Sequence, residues 1–128
     1  MDSARMKNKK LFRNLLLSCF LILPLSCEEN VMKVETGEVS HILTTTAEVT
    51  GRIISTGEGV KLYGHCFDKD PGVTTLDSKT EFGMAIGVGT YTSFLHSLEP
   101  GTKYYVRAYM NCGTTTVYGD EISFTTTQ

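Results

Sequence analysis

The sequence is short of the features that mark nucleic-acid binding, a membrane-spanning helix or a common enzyme. Past residue 26 it carries seven basic and thirteen acidic side chains, so it lacks the basic stripe that phosphate binding requires. The apolar stretch at residues 15–25 has eleven residues, whereas a membrane-spanning helix needs about 20. There is no Gly-x-Ser-x-Gly motif, no metalloprotease His pair and no convincing acid pair for glycoside hydrolysis. These absences favour a non-enzymatic protein without a cofactor or a nucleic-acid partner.

The sequence does have a basic segment directly before that apolar stretch. Residues 1–26 hold five Lys or Arg and one acid, a net charge of +4, and the remainder sums to −6. A positive segment followed by about 7–15 apolar residues is typical of a secretory signal peptide. Met6 is an alternative start, since "MKNKKLFRNLLLSCF" has the same organisation. We therefore expect residues 1–26 to be a signal peptide; a buried N-terminal helix is the alternative.

The apolar stretch ends at Leu25-Ser26-Cys27, which resembles the lipobox of bacterial lipoproteins. In that family the Cys is lipid-modified and becomes the first mature residue, so the resemblance implies lipid attachment at Cys27. Acyl chains contribute about 0.8 kcal/mol per buried CH₂, enough for several chains to hold a domain at a membrane. Cys19 follows a rival motif, but cleavage there would leave "FLILPL" on the mature protein.

Two acids, Glu28 and Glu29, follow Cys27 directly. Acidic residues in this place resemble the export signal of Bacteroidota-type surface lipoproteins. The resemblance implies an outer-membrane protein displayed on the cell surface; the alternative is a solvated tether that faces the periplasm. We expect residues 27–37 to form the lipidated N-terminus and the tether.

Beyond residue 30 the periodicity is that of β-strands. Thr, Val, Ile, Tyr and Phe dominate, Gly recurs, and no stretch has a sustained 3.6-residue apolar period. Clusters of Gly, Pro and Asp separate about seven short strands, which favours a two-sheet antiparallel sandwich over residues 38–128. The predicted strands are 31–35 with 38–43, 46–55, 60–67, 81–88, 91–97, 103–111 and 116–126.

The stretch "LEPGTKYYVRAYMN" resembles the E–F corner of a fibronectin type III domain. The resemblance rests on Leu98, Pro100, Gly101 and Tyr104, and it implies that the Tyr104 hydroxyl bonds to the backbone a few residues upstream. Pro and Gly supply the fixed and the permissive dihedrals of the turn. Strand alternation then places one set of side chains in the core: Tyr104, Val106, Ala108 and Met110.

Three further stretches, "GHCFDKDPGVT", "YYVRAY" and "VYGDEISFTT", resemble the fibronectin type III-like modules of Bacteroidota surface lipoproteins. His65 stands where those modules have an apolar residue. The core Trp of the fibronectin family is missing, because the chain has no Trp. We expect Val49, Ile53 or Ile54 to fill its volume.

The other face of the strand after the corner is the candidate ligand-binding surface. Tyr105, Arg107 and Tyr109 would form a ladder there, in which aromatic faces can stack on sugars and Arg can pair with carboxylates or hydroxyls. The alternative is that the tyrosines cover the sheet and Arg107 stacks between them.

The cysteines and acids of the sandwich offer little further chemistry. Cys66 and Cys112 should lie near opposite ends of two antiparallel strands, so we expect no disulfide, which needs Cα atoms within about 7 Å. Asp68, Asp70 and Asp77 do not fit a calcium loop, because Lys79 occupies the twelfth position counted from Asp68. We expect no metal site, since the histidines also lack ligand spacing: His41, His65 and His96.

These features predict a non-enzymatic, membrane-anchored lipoprotein whose sandwich mediates binding or adhesion at the cell surface, with a glycan or a protein as ligand. Two alternatives stay open. The chain could be a structural subunit of an envelope complex that faces the periplasm, in which a sandwich edge pairs with a partner strand. It could also be a spacer with no ligand of its own.

Overall fold

The structure is a computed structural model that describes residues 31–85 and 87–128. These residues form β-strands and connecting loops, with no helix among them. None of them therefore belongs to a helix that could cross a membrane. The predicted signal peptide, the lipid attachment at Cys27 and the pair Glu28-Glu29 lie outside the described residues.

The described residues form eight strands in two antiparallel sheets, which confirms the predicted all-β sandwich of fibronectin type III-like form. Sheet one has the order β1-β2-β5. Sheet two has the order β4-β3-β6-β7, and β8 also pairs with β6. The strands are β1 (Met32–Ser40), β2 (Ala47–Thr56), β3 (Leu62–Asp68), β4 (Ser78–Lys79), β5 (Gly89–Leu95), β6 (Lys103–Asn111), β7 (Thr116–Tyr118) and β8 (Ile122–Thr125).

The core lies between the sheets and follows the period-two pattern of the strands. On β6 the predicted inward set is buried, as alternation requires. On β2, Val49 and Ile53 are buried and Ile54 is half-buried, so of the three residues expected to fill the volume of the missing Trp the first two belong to the core. The ring of Tyr91 packs directly against Gly51, where a Cβ atom would collide with it. Two clusters result, one around Ala47, Val49, Leu95, Leu98, Tyr104, Val106 and Phe124, the other around Val34, Ile53, Val60, Ala108 and Met110.

Two predicted strands differ in the structure. Residues 81–88 do not form a regular strand; β4 precedes them, and only isolated bridges join Phe82 to Tyr63 and Ala85 to Val60. Glycines at 83 and 87 interrupt this segment and weaken its strand propensity. The strand predicted at 116–126 is divided into β7 and β8, which pair with different parts of β6.

A side chain of sheet one, Thr36 on β1, packs at the break between β7 and β8. The Thr36 hydroxyl accepts a hydrogen bond from the Ala108 N–H at 3.0 Å, while the Gly119 N–H donates to the Ala108 carbonyl at 2.9 Å. Gly119 must lack a side chain, since a Cβ atom there would lie 2.6 Å from the Thr36 hydroxyl oxygen. Thr36 therefore closes this side of the sandwich.

The first strand also corrects the predicted tether. Because β1 begins at Met32, residues 32–37 belong to the sandwich and not to a linker. The register of β1 against β2 is irregular between Lys33 and Val34 and again between Thr36 and Val39. The second irregularity lies next to Thr36, which bonds to Ala108 in the other sheet.

The corner residues lie where β5 passes to β6. Leu98 is buried in the core, and the loop turns at Pro100 and at Gly101, which has a φ of 60°. The Tyr104 hydroxyl accepts a hydrogen bond from the Glu99 N–H at 2.9 Å, five residues upstream. This bond ties the turn to the strand that follows it.

A buried histidine joins the two sheets. His65 on β3 is 0% exposed, and its ring crosses the core, where Nδ1 lies 2.7 Å from the Ser93 hydroxyl and Nε2 lies 3.0 Å from the Thr50 carbonyl. Because a carbonyl can only accept, Nε2 carries the proton and Nδ1 accepts from Ser93. The Thr80 hydroxyl lies 2.7 Å from that of Ser93 and accepts from the His65 N–H at 2.9 Å. The polar atoms of this cluster thus satisfy one another.

Burial lowers the pKa of His65 to about 4, although the bond to the Thr50 carbonyl acts in the opposite direction. The imidazole is therefore neutral in the folded protein at pH 7. An unfolded chain would have a His pKa near 6.5. Between these two values the unfolded state binds more protons than the folded state.

Stability should consequently fall as the pH drops from about 6.5 to about 4, by about 1.4 kcal/mol per pH unit from this group, or roughly 3 kcal/mol in all. We expect His65→Gln to be less stable at pH 7 and to lose this component of the pH dependence. Urea unfolding of both proteins between pH 4 and pH 7 checks the prediction. His96→Gln, at an exposed site, is the control and should keep the wild-type dependence of the unfolding free energy on pH. If the unfolding free energies of wild type and His65→Gln change with pH in parallel, the prediction for His65 is contradicted.

The corner bond gives a second prediction. Tyr104→Phe removes the acceptor of the Glu99 N–H and should lower the free energy of unfolding by about 1–2 kcal/mol. Tyr105→Phe, at a half-buried position of the same strand, is the matched control and should change stability by less than about 0.5 kcal/mol. Urea unfolding at pH 7 measures both variants. Equal losses of unfolding free energy would show that the hydrogen bond of Tyr104 contributes no more than an ordinary Tyr hydroxyl of this strand.

Candidate functional site

The predicted ligand ladder is not a continuous surface. Tyr105 and Arg107 are half-buried, but Tyr109 is only 1% exposed, so the prediction that it faces a ligand is wrong. The Tyr109 ring packs against Cys66 and Val73, and its hydroxyl donates to the Thr80 carbonyl at 2.8 Å. Burial raises the pKa of Tyr109 to about 12.

A loop covers this part of the sheet. Residues 69–77, here called the covering loop, insert Val73 onto the outer face of sheet two, where it is 1% exposed. One carboxylate oxygen of Glu121 accepts from the N–H groups of Gly72 and Val73, both at 2.9 Å. The Thr75 N–H donates to the Tyr118 hydroxyl at 3.2 Å. The loop is therefore fixed to the strands beneath it at several points.

Arg107 makes internal contacts in place of the predicted ladder. Its Nε–H donates to the Gly119 carbonyl at 3.0 Å, and its guanidinium lies 4.7 Å from the centre of the Tyr118 ring. Tyr105 is covered by Lys103, whose Nζ lies 5.3 Å from the ring centre. The cations and aromatic rings of this face thus pair locally, and they do not converge on a common point.

The two cysteines of the sandwich are free and lie apart. Cys66 is opposite Arg107, whereas Asn111, the residue before Cys112, is opposite Leu62. Burial raises the pKa of the Cys66 thiol to about 11. Backbone and side-chain hydrogen bonds from Thr114 lower the pKa of Cys112 to about 7.

The acids and the histidine considered as metal ligands contact nearby residues of the chain instead. Among residues 31–85 and 87–128, no group of three or more His, Cys, Asp or Glu side chains is arranged to hold a metal ion. Asp68 accepts from the Asp70 N–H at 3.3 Å, and Asp77 accepts from the Thr74 N–H at 2.9 Å. His41 lies 3.5 Å from a Glu48 carboxylate oxygen, and both side chains are exposed to solvent.

The Ser93–His65 pair has the distance of a nucleophile and its base, but not the accessibility. Both residues are 0% exposed, and the Thr80 hydroxyl occupies the remaining side of Ser93. A substrate carbonyl could not reach this oxygen without separation of the sheets. The pair is therefore a structural element of the core.

A concave surface lies between the free edges of the two sheets. It is a groove of about 420 Å³, here called the edge groove. Phe94 is 55% exposed on one wall, with its ring centre 6.3 Å from that of His96. On the other wall, Lys69 pairs with Glu99 at 2.8 Å. The lining residues are Phe67, Asp68, Lys69, Ser78, Lys79, Thr80, Phe94, His96, Ser97, Leu98 and Tyr104.

Sequence reasoning missed this groove because three separate segments build it, at 67–69, 78–80 and 94–98, together with Tyr104. One signal was present: in "TYTSFLH" the alternation that buries Ser93 and Leu95 turns Phe94 outward. An exposed aromatic ring beside a His and two lysines can offer stacking, hydrogen bonding and charge to a ligand.

No protein-family model matches the sequence, and no curated protein sequence matches it either. Solved structures do. The sensor domain of the anti-sigma factor RsgI4 of Pseudobacteroides cellulosolvens, solved in solution, is 13% identical with a TM-score of 0.61 and covers 76% of both chains. A short form of the same domain has a TM-score of 0.58 and 13% identity, and the match covers 75% of this chain and 94% of that one.

A fibronectin type III domain of the human KIAA0970 protein is similar as well, with a TM-score of 0.50, 13% identity and coverage of 78% of this chain and 74% of that one. Identities this low establish the fold and not the activity. The comparisons and the strand order together show that this chain has a fibronectin type III-like β-sandwich.

Proposed function

We propose that the protein is a non-enzymatic lipoprotein, anchored through Cys27, whose sandwich binds a glycan or a protein ligand at the cell surface. The resemblance of Leu25-Ser26-Cys27 to a lipobox supports the anchor, and Glu28-Glu29 supports surface display. The burial of the Ser93–His65 pair supports a non-catalytic role.

The position of the edge groove relative to the start of β1 carries this proposal. Phe94 is opposite Glu48, which is opposite Ser40, at the other end of β1. Eight residues of β-strand span about 26 Å. The groove therefore opens at the end of sheet one opposite to Met32, the first strand residue after the proposed anchor in the chain.

The chemistry of the groove suits a ligand with both apolar and polar surface. Phe94 offers a ring face that can stack on a sugar or pack on an apolar side chain. Lys79 is exposed on the opposite wall, and among the described residues it forms no salt bridge. Acidic or hydroxyl-rich groups of a ligand could bind there.

The anchor and its orientation are tested on intact cells. External protease should remove the domain from cells that carry the wild-type protein, and Cys27→Ala should release or mislocalise it. Immunoblots of whole cells, membranes and medium report both effects. Protection of the anchored domain until the outer membrane is opened would contradict surface display and favour a periplasmic accessory subunit.

The groove is tested by ligand screening of the purified protein on glycan and envelope-protein arrays. Phe94→Ala should weaken binding of any ligand found by at least about tenfold, because truncation of a central aromatic anchor often costs 2 kcal/mol or more. Leu76→Ala is the matched control, since Leu76 is 95% exposed at the tip of the covering loop and is not part of the groove.

Unchanged thermal stability of both variants would show that any loss of binding reflects contact and not unfolding. If Phe94→Ala and Leu76→Ala bind equally well, the groove is not the ligand site. If no ligand is found, the spacer function becomes the better description.

A further inference from the structure

The margins of the two sheets differ in how far they are protected from pairing with another chain. In the part of the chain that the structure describes, sheet one ends in β1 and β5, and sheet two ends in β4 and in β7 with β8. An edge strand exposes unpaired N–H and C=O groups, and natural proteins protect such edges with charge, irregular register, proline or very short strands.

Three of these margins, taken over residues 31–85 and 87–128, have such protection. β1 carries Lys33, Glu35 and Glu38, and its register is interrupted twice. β4 has two residues, one of which is Lys79. Between β7 and β8 the edge breaks at a segment that contains the acids at 120–121. Each of these edges is a poor template for a further strand.

The fourth margin, β5, has none of these features. Its seven residues, "GTYTSFL", contain no charge and no proline, and their ladder to β2 is regular throughout. Thr90, Thr92 and Phe94 are exposed on its outer face. Among the described residues, its backbone has no hydrogen bonds to other backbone groups beyond those of the ladder. The free side of β5 is here called the open edge.

We propose that the open edge pairs with the open edge of a second copy of this chain, antiparallel and around a two-fold axis at Thr92. Opposite residues of antiparallel strands share a face of the sheet, so a two-fold arrangement must place a residue opposite itself. The axis at Thr92 pairs the whole strand. It sets Thr90 opposite Phe94 of the second copy, and the two three-stranded sheets become one six-stranded sheet.

The charge pattern favours a second copy over an unrelated peptide. Self-pairing of an uncharged strand brings no like charges together. On the adjacent strand, Glu48 lies beside Phe94 and Arg52 lies beside Thr90. The two-fold axis therefore puts Glu48 of one copy and Arg52 of the other on opposite sides of the same Phe94–Thr90 row, and the symmetry-related row repeats this order. A charged peptide would meet no matching charge on β5 itself.

The interface would be small. A strand of seven residues is about 23 Å long, so its pairing buries less than the roughly 1,200 Å² of a stable complex. The association should be weak in dilute solution. Confinement of both copies to one membrane would raise their effective concentration. The strength of the pairing thus rests on the proposed anchor, whereas its geometry does not.

Cysteine cross-linking in membranes tests the register, with the full chain in a Cys112→Ser background that removes the accessible native thiol. Thr92→Cys should form a disulfide-linked dimer under a mild oxidant, because residues directly opposite have Cα atoms about 4.5–5.5 Å apart. Thr90→Cys alone and Phe94→Cys alone should not, since four residues shift the thiols by about 13 Å along the strand. Cells that produce both of these variants should give the dimer.

Thr92→Lys gives an independent readout, because two lysines would meet at the axis. Sedimentation of the detergent-solubilised chain at high concentration should show a dimer fraction for wild type and at least a tenfold smaller one for Thr92→Lys. Cross-linking of Thr92→Cys at the level of Thr90→Cys alone, or equal sedimentation of wild type and Thr92→Lys, would overturn the pairing.

These outcomes are separable from those of the proposed function. Surface display and Phe94-dependent ligand binding without Thr92→Cys cross-linking would overturn the dimer alone. Removal of the anchor by Cys27→Ala in the Thr92→Cys chain should lower the cross-linked fraction at least tenfold at equal total protein. An unchanged fraction would overturn the dependence on the anchor.

Discussion

The fold depends on the burial of one polar side chain between its two sheets. An imidazole without partners would make the core unstable, because a buried polar group must be hydrogen-bonded. His65 meets this requirement only when β3 faces the Thr50 carbonyl on β2 and the Ser93 hydroxyl on β5 at the same time. Apolar packing tolerates small sliding of one sheet over the other, whereas these bonds do not. The neutral imidazole therefore fixes the relative position of the sheets, and Thr80 extends the constraint to the residue after β4.

That constraint also shapes the two margins of the sandwich. On one side, Thr36 bonds to Ala108 across the break between β7 and β8, so the sheets are closed on each other. On the other side, the cluster of His65, Ser93 and Thr80 holds the sheets together from inside and leaves the strand edges outside free. The edge groove and the open edge of β5 both lie on this second side, where a partner of the domain would meet the free backbone of β5 and the exposed ring of Phe94.

The outer face of sheet two shows why a surface ladder can be misread. Alternation correctly separates the inward set on β6 from Tyr105, Arg107 and Tyr109. It cannot show that the covering loop folds back and buries Tyr109, because that depends on Glu121 and Tyr118, about 45 residues further along the chain. The one hint is local: the otherwise polar covering loop contains the aliphatic side chains Val73 and Leu76, and the burial of Val73 stabilises the covered arrangement.

The sequence by itself determined the fold class, the approximate positions of most strands, the core face of β6 and the residues of the corner, because these follow from period-two patterning and local turn chemistry. It also contained the lipobox-like segment on which the proposed anchor rests. Only the tertiary structure decided that the strands predicted at 31–35 and 38–43 form one strand, β1, that Tyr109 is buried, and that three distant segments form the edge groove. These features depend on contacts between residues far apart in the chain, and periodicity carries no information about such contacts.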